Sequence, residues 1–159
     1  MTDGRHDFDF LFGRWTIDNE RLARRLDGCT DWERFSAASV VHPLLGGFAN
    51  VDTFVALAFP DGKPLSGATL RVFDPATRLW SLYWLDDRRF RMDPPVVGRW
   101  ETPYHGVFYG DDTLRDRPVR VRYDWAVLDA DHARWSQAFS PDGGATWEEN
   151  WRMAMTRAG

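Results

Sequence analysis

Hydrophobic and polar residues alternate along most of this chain, in short runs that end at turn-forming residues. Such alternation is typical of β-strands with one buried face, and the Pro, Gly and Asp between the runs are typical of turns. Ten strands are predicted, at residues 15–26, 32–42, 51–59, 68–73, 79–85, 96–101, 105–110, 119–125, 134–140 and 147–156. Their spacing, without helical patterns between them, favours an all-β fold in which an antiparallel up-and-down meander closes into a β-barrel.

A short aromatic segment precedes the first predicted strand. Phe8, Phe10 and Phe12 run directly into Gly13-x-Trp15. Gly13 allows the backbone to approach a neighbouring strand, and the indole of Trp15 is large enough to lie across the barrel floor. We therefore predict that this segment is a plug that closes one end of the barrel.

The odd-numbered residues of the last four predicted strands are mostly apolar or aromatic, whereas the even-numbered ones are mostly charged. Because side chains alternate across a strand, the odd set is predicted to face the lumen. A symmetric last hairpin would pair Phe139 with Trp147, Gln137 with Glu149, and Trp135 with Trp151. The residues predicted to contact a ligand on this face are His105, Tyr109, Tyr123, Trp135, Gln137, Glu149 and Trp151.

The predicted strand from Leu79 to Leu85 is apolar on both faces. Trp80, Leu82 and Trp84 share one face, and Leu79, Tyr83 and Leu85 share the other. Both faces therefore need cover from solvent. Two explanations stay open: barrel curvature with loop cover, and a homodimer interface through this strand.

Composition and charge narrow the class of protein. The 159 residues suit one domain, 1–159, and the net charge of −4 without a basic, aromatic stripe argues against nucleic-acid binding. No apolar run approaches the ~20 residues of a membrane helix, and the first residues lack the features of a signal peptide. We therefore expect a cytoplasmic protein, which suits its single cysteine, Cys29.

Few residues in the pattern carry reaction chemistry. His105 is the only histidine on the predicted inner face, and no histidine, cysteine or acidic cluster has metal-ligand spacing, so no metal or cofactor is predicted. Glu149, flanked by two tryptophans, is expected to be partly desolvated, which favours its protonated form. The first hypothesis is a barrel that binds a small apolar or aromatic molecule. An enzyme with Glu149 or His105 as acid/base, and a haem protein with His105 as the iron ligand, are the alternatives.

Residues 140–147, Ser-Pro-Asp-Gly-Gly-Ala-Thr-Trp, match the Asp-box pattern found at hairpins of sialidase propellers. A propeller needs several four-stranded blades, and this chain is too short to form them. The motif is interpreted as a hairpin turn in which Asp142 hydrogen-bonds its own loop.

The plug, Gly13-x-Trp15 and the ten-strand meander together resemble the calycin superfamily, which includes lipocalins, fatty-acid-binding proteins and nitrobindins, and the chain looks like an uncharacterised bacterial branch of it. The resemblance implies a small ligand in the lumen, and an arginine of the last strand, Arg152 or Arg157, packed over Trp15. The Arg-x-Tyr of fatty-acid-binding proteins is missing near the C-terminus. The first strand of nitrobindins has a motif similar to G-x-W-x-G-x-G, but in this chain Ile17 and Asn19 occupy the two later glycine positions.

Overall fold

The computed structural model describes residues 3–159 and contains ten antiparallel strands. These are β1 (Gly13–Leu22), β2 (Trp32–Leu44), β3 (Ala49–Ala56), β4 (Leu65–Asp74), β5 (Leu79–Asp86), β6 (Val96–Thr102), β7 (His105–Leu114), β8 (Arg117–Asp129), β9 (His132–Ser140) and β10 (Glu148–Arg157). Short 3-10 helices lie at Asp9–Leu11 and Leu45–Gly47. Each strand pairs with its neighbours in sequence, and β1 pairs with β10, so the barrel is closed. The predicted all-β, up-and-down barrel is confirmed.

The segment before β1 closes one end of the barrel. Phe8 and Leu11 have no solvent exposure, and Trp15 is 1% exposed. The ring of Phe8 packs edge-on against Trp80, with the ring centroids 4.9 Å apart, and the Trp15 Nε1 donates a hydrogen bond of 2.8 Å to the Leu11 carbonyl. The aromatic residues thus form the predicted plug.

Arg157, and not Arg152, is the arginine that packs over Trp15. Its guanidinium carbon lies 4.4 Å from the Trp15 ring centroid, and its Nη atoms donate hydrogen bonds to the carbonyls of Phe10 (2.6 Å) and Phe12 (2.9 Å). The last strand therefore fastens the plug to the barrel. Arg152 lies instead over the ring of Trp32.

The predicted inner face is wrong for β7. Strands β7 and β8 are longer than predicted and meet at a two-residue turn, Arg115-Asp116, in which both residues have positive φ. This turn pairs even residues of β7 with odd residues of β8, for example Phe108 with Tyr123. Even-numbered residues of β7 therefore face the lumen, and Phe108 is fully buried there.

The predicted pairing of the last hairpin is also wrong. A register shift between Glu149 and Trp151 makes Asn150 an extra residue, so that Trp151 pairs with Gln137. The Asn150 side chain is fully buried, and its Oδ1 accepts a hydrogen bond of 2.9 Å from Gln137 Nε2. This β-bulge turns Glu149 toward the outer surface while Trp151 stays in the lumen.

Candidate functional site

A cavity of about 470 Å³ lies inside the barrel, between the plug and the opposite end. Leu11 of the plug lies at its inner end, which we call the floor. Loop residues after β1, β3 and β5, including Arg25, Asp61 and Arg89, line the other end, which we call the mouth. The barrel is therefore not filled by its own side chains, in spite of its nine tryptophans.

Aromatic rings form the middle of the cavity wall around Trp151. Its ring centroid lies 6.0 Å from that of Trp135, 6.4 Å from Trp84 and 6.3 Å from Phe54, in edge-on arrangements. The Trp151 Nε1 donates a hydrogen bond of 3.0 Å to the Oδ1 of buried Asn19, which holds the indole in place. With this N–H group already bonded, the ring presents mainly apolar surface to the lumen.

Tyr123 and Gln137 add polar atoms to this wall. The Tyr123 ring packs edge-on against Trp135 at 5.0 Å, and burial, with smaller effects of Asp93 and Asp112, raises the pKa of its hydroxyl group. Tyr123 is thus a neutral phenol at physiological pH. Gln137 is held by its hydrogen bond to Asn150.

A buried ion pair lies at the floor. Arg71 is 3% exposed, and its Nη2 lies 2.5 Å from the Asp52 Oδ2 while its Nη1 donates to the Asn50 Oδ1 at 2.9 Å. The other Asp52 oxygen accepts the backbone N–H of Thr69 at 3.0 Å. The guanidinium carbon of Arg71 also lies 5.4 Å from the Phe8 ring centroid, so the pair contacts the plug.

Sequence analysis missed this pair, although a signal for it exists. Asp52 lies two residues before Phe54, and Arg71 lies two residues before Phe73. Residues at this spacing share one face of a strand, so an inward-facing Phe predicts an inward-facing charge beside it.

Ion pairs occupy one side of the mouth. Arg89 bonds to Asp93 at 2.7 Å and lies 3.6 Å from Asp86. Burial raises the pKa of Asp93, and its bond to Arg89 opposes that effect. Burial alone would raise the pKa of Asp86 as well, but hydrogen bonds from Trp84 and from the backbone together lower it.

The loop between β1 and β2 reaches across the mouth. Arg115, in the β7–β8 turn, donates a hydrogen bond of 2.8 Å from its Nη2 to the Arg25 carbonyl. The Leu26 backbone N–H donates a hydrogen bond of 2.8 Å to the Glu148 Oε1 at the start of β10. The loop is therefore held both by the β7–β8 turn and by β10, the strand that pairs with β1.

The structure brings four of the seven predicted ligand-contacting residues together in the cavity: Tyr123, Trp135, Gln137 and Trp151. The predicted lumen position of the other three is wrong. His105 lies on the outer surface with its Nε2 3.1 Å from the Asp124 carboxylate, and Glu149 lies there with an Oε1 2.8 Å from Arg152 Nε. Tyr109 is 40% exposed and packs against Trp147, because the odd residues of β7 point outward.

The positions of His105 and Glu149 bear on both alternatives drawn from the sequence. Neither side chain reaches the cavity, so neither can act as acid/base on a molecule held there or bind the iron of a haem in the lumen. Among residues 3–159, no group of three or more His, Cys, Asp or Glu side chains is placed to hold a metal ion. In the same range, no helix has the length and apolar character needed to cross a membrane.

The two faces of the strand from Leu79 to Leu85 have different surroundings. Trp80, Leu82 and Trp84 face the barrel interior, and Trp80 and Leu82 are at most 2% exposed. Tyr83 and Leu85 lie on the outside and are half-buried. A homodimer through this outer face stays a prediction.

Comparison with known proteins shows the fold. A solved structure of a redesigned β-barrel matches with a TM-score of 0.50 and 12% sequence identity, over 100% of this chain and 98% of that one. No family model and no curated protein matches the sequence. The chain is thus a ten-strand antiparallel β-barrel whose lumen holds an aromatic-walled cavity.

Proposed function

We propose that the chain is a calycin-type barrel, of the bacterial branch that its sequence resembles, and that it binds a small, mostly apolar or aromatic molecule in its lumen. The cavity of about 470 Å³ carries this proposal. Sites for small organic ligands have volumes of roughly 300–1,000 Å³, with apolar and aromatic walls and a few placed polar groups. The proposal involves no covalent step, and the cytoplasmic location stays a prediction from the sequence.

The wall supports an aromatic or flat apolar ligand. Trp84, Trp135 and Trp151 all line the cavity, and Trp84 and Trp135 pack edge-on against Trp151, so a ligand would lie against the ring surfaces that face the lumen. Tyr123 and Gln137 line the same region. Their hydroxyl and amide groups would orient the polar atoms of the ligand.

The test uses N-phenyl-1-naphthylamine, a neutral aromatic probe whose emission rises in apolar surroundings. Energy transfer from the lumen tryptophans to the probe reports binding close to them. Native mass spectrometry of the freshly purified protein, followed by denaturation, checks in parallel for a bound molecule of cellular origin.

Two matched variants locate the probe. Thr69→Trp places an indole in the cavity, and Thr53→Trp places the same group on the exposed face of β3, the strand that pairs with β4. Thr69→Trp is expected to raise the Kd of the probe by about ten-fold or more, whereas Thr53→Trp should change it by less than about two-fold. Val121→Phe is a smaller filling of the same cavity if Thr69→Trp fails to fold. Equal binding by the wild type and a folded, filled variant would show that the probe does not occupy the lumen.

A further inference from the structure

The five arginines that line the cavity differ in how their charges are neutralised. Arg71 pairs with Asp52, Arg88 with Asp61 at 3.1 Å, and Arg89 with Asp93. Among the described residues, no carboxylate lies within 4.0 Å of the side-chain nitrogens of Arg21 or Arg25. These last two arginines lie at the mouth, at the end of β1 and in the loop that follows it.

Arg21 lies directly above the aromatic wall. Its guanidinium carbon is 5.0 Å from the Trp151 ring centroid and 5.5 Å from that of Phe59, and its Nε is buried without a hydrogen-bond partner. Ring faces attract a cation, but they do not replace an anion as the partner of a desolvated guanidinium. Arg21 therefore has unused hydrogen-bonding capacity beside the entrance.

Positive charges lie close together on this side of the mouth. Burial and then the neighbouring Arg25 lower the pKa of Arg21 to about 10, and burial and then Arg115 lower the pKa of Arg25. Glu33, Asp86 and Glu148 counteract this only through space. Both the missing ion pairs and the lowered pKa values describe a site that an incoming negative charge would stabilise.

We propose that the ligand is an organic anion, whose carboxylate, sulfonate or phosphate group binds between Arg21 and Arg25 at the mouth while its apolar body lies against Trp151 in the lumen. Guanidinium groups bind the oxygens of such anions with paired, charge-assisted hydrogen bonds. Asp86, Asp93 and Asp112 line the same cavity near Arg89 and would repel the anion, which favours its binding at the unpaired arginines instead. This inference rests on the proposed function.

The test compares two probes with the same aromatic body. 8-Anilinonaphthalene-1-sulfonate carries a sulfonate that N-phenyl-1-naphthylamine lacks. The wild type is expected to bind the sulfonate probe at least about ten-fold more tightly than the neutral one. Arg21→Gln and Arg25→Gln are each expected to raise the Kd of the sulfonate probe about ten-fold. Each should change the Kd of the neutral probe by less than about two-fold.

Arg24→Gln is the matched control, because Arg24 lies in the same loop but is exposed and paired with Asp27. Arg24→Gln changes the net charge by the same amount as the other two variants, and it should leave the Kd of both probes unchanged. Thr69→Trp should weaken both probes, which places them in the lumen. Arg25→Gln keeps the test valid if Arg21→Gln does not fold.

Each outcome is decisive for one of the two proposals. If the neutral probe binds in the lumen but the sulfonate gives no gain, or if the arginine variants weaken both probes equally, the anion site is refuted and the ligand-binding barrel stands. If neither probe binds the lumen of the wild type, the proposed function itself is refuted, and this inference falls with it.

Discussion

Replacing Asp52 by leucine would leave the Arg71 guanidinium in the barrel floor without its carboxylate. The Arg71 side chain is 4% exposed and that of Asp52 is 10% exposed, so loss of the carboxylate would leave the guanidinium largely desolvated. Removing one member of a buried ion pair destabilises a protein by about 3–5 kcal/mol, because the remaining charge stays desolvated. We expect a loss of this size for Asp52→Leu. For a domain of this length it corresponds to a fall in Tm of about 6–20 °C.

The double variant Asp52→Leu/Arg71→Met separates the unpaired charge from other effects of the substitution. With the cation also removed, only the neutral partners of the pair lose hydrogen bonds, namely the Asn50 Oδ1 and the Thr69 N–H. Each such loss costs about 1–3 kcal/mol when the group stays buried. The double variant is nevertheless expected to be more stable than Asp52→Leu alone, since apolar replacements of a buried pair are often tolerated.

Urea unfolding followed by tryptophan fluorescence measures these free energies. The control is Asp27→Leu, which breaks the exposed Arg24–Asp27 pair, with side chains 59% and 52% exposed. Exposed pairs contribute at most about 1 kcal/mol, so this control should unfold nearly as the wild type does. The reasoning is refuted if Asp52→Leu loses no more stability than the control, or if the double variant is no more stable than Asp52→Leu.

Three further outcomes are expected. Arg157→Met should destabilise the barrel by about 2–4 kcal/mol in urea unfolding, because it removes charge-assisted bonds to the plug, whereas Arg152→Met on the outer surface should change stability by less than about 1 kcal/mol. Gly98→Ala would bring a Cβ to 2.2 Å from the Val107 carbonyl oxygen, so a thermal melt should show a loss of about 1–3 kcal/mol or more. Hydrogen bonds from the Thr146 side chain and backbone, and from Ser140, lower the pKa of Asp142 to about 2. Its contribution to stability is present above about pH 4 and is lost as the pH falls toward 2, so Asp142→Asn should flatten the acid limb of the stability curve, and an unchanged limb would contradict this.

The strands, the closure and the plug could be predicted because they depend on local patterns. Alternation and turn residues lie close together in sequence, and the aromatic segment before Gly13 leaves few places for its rings other than a barrel end. Tyr123, Trp135 and Trp151 were found for the same reason: each belongs to a strand whose apolar residues keep one parity.

The phase of β7 and the pairing of β10 depend on single residues that alternation does not reveal. Arg115 and Asp116 form a two-residue turn with φ of 50° and 64°, without the Asn-Gly or Asp-Gly signature of such turns. Asn150 is the extra residue of a bulge, where its buried Oδ1 accepts a hydrogen bond from Gln137. One residue more or less in a turn or bulge exchanges the two faces of a strand, and this moved His105, Tyr109 and Glu149 out of the lumen.

The two ends of the cavity differ in a way that limits how a ligand can be recognised. At the floor, Asp52 neutralises the charge of Arg71 and also accepts the Thr69 N–H, although the Arg71 Nε and the Asn50 Nδ2 are buried without a hydrogen-bond partner. At the mouth, Arg21 and Arg25 have no carboxylate partner among the described residues. A molecule that enters with its apolar end first would bury its body against the aromatic wall. Its last atoms would then lie beside the unpaired charges of Arg21 and Arg25 at the opening. Selectivity for the ligand's charged group should therefore depend on the residues of the mouth, and affinity for its body on the wall around Trp151.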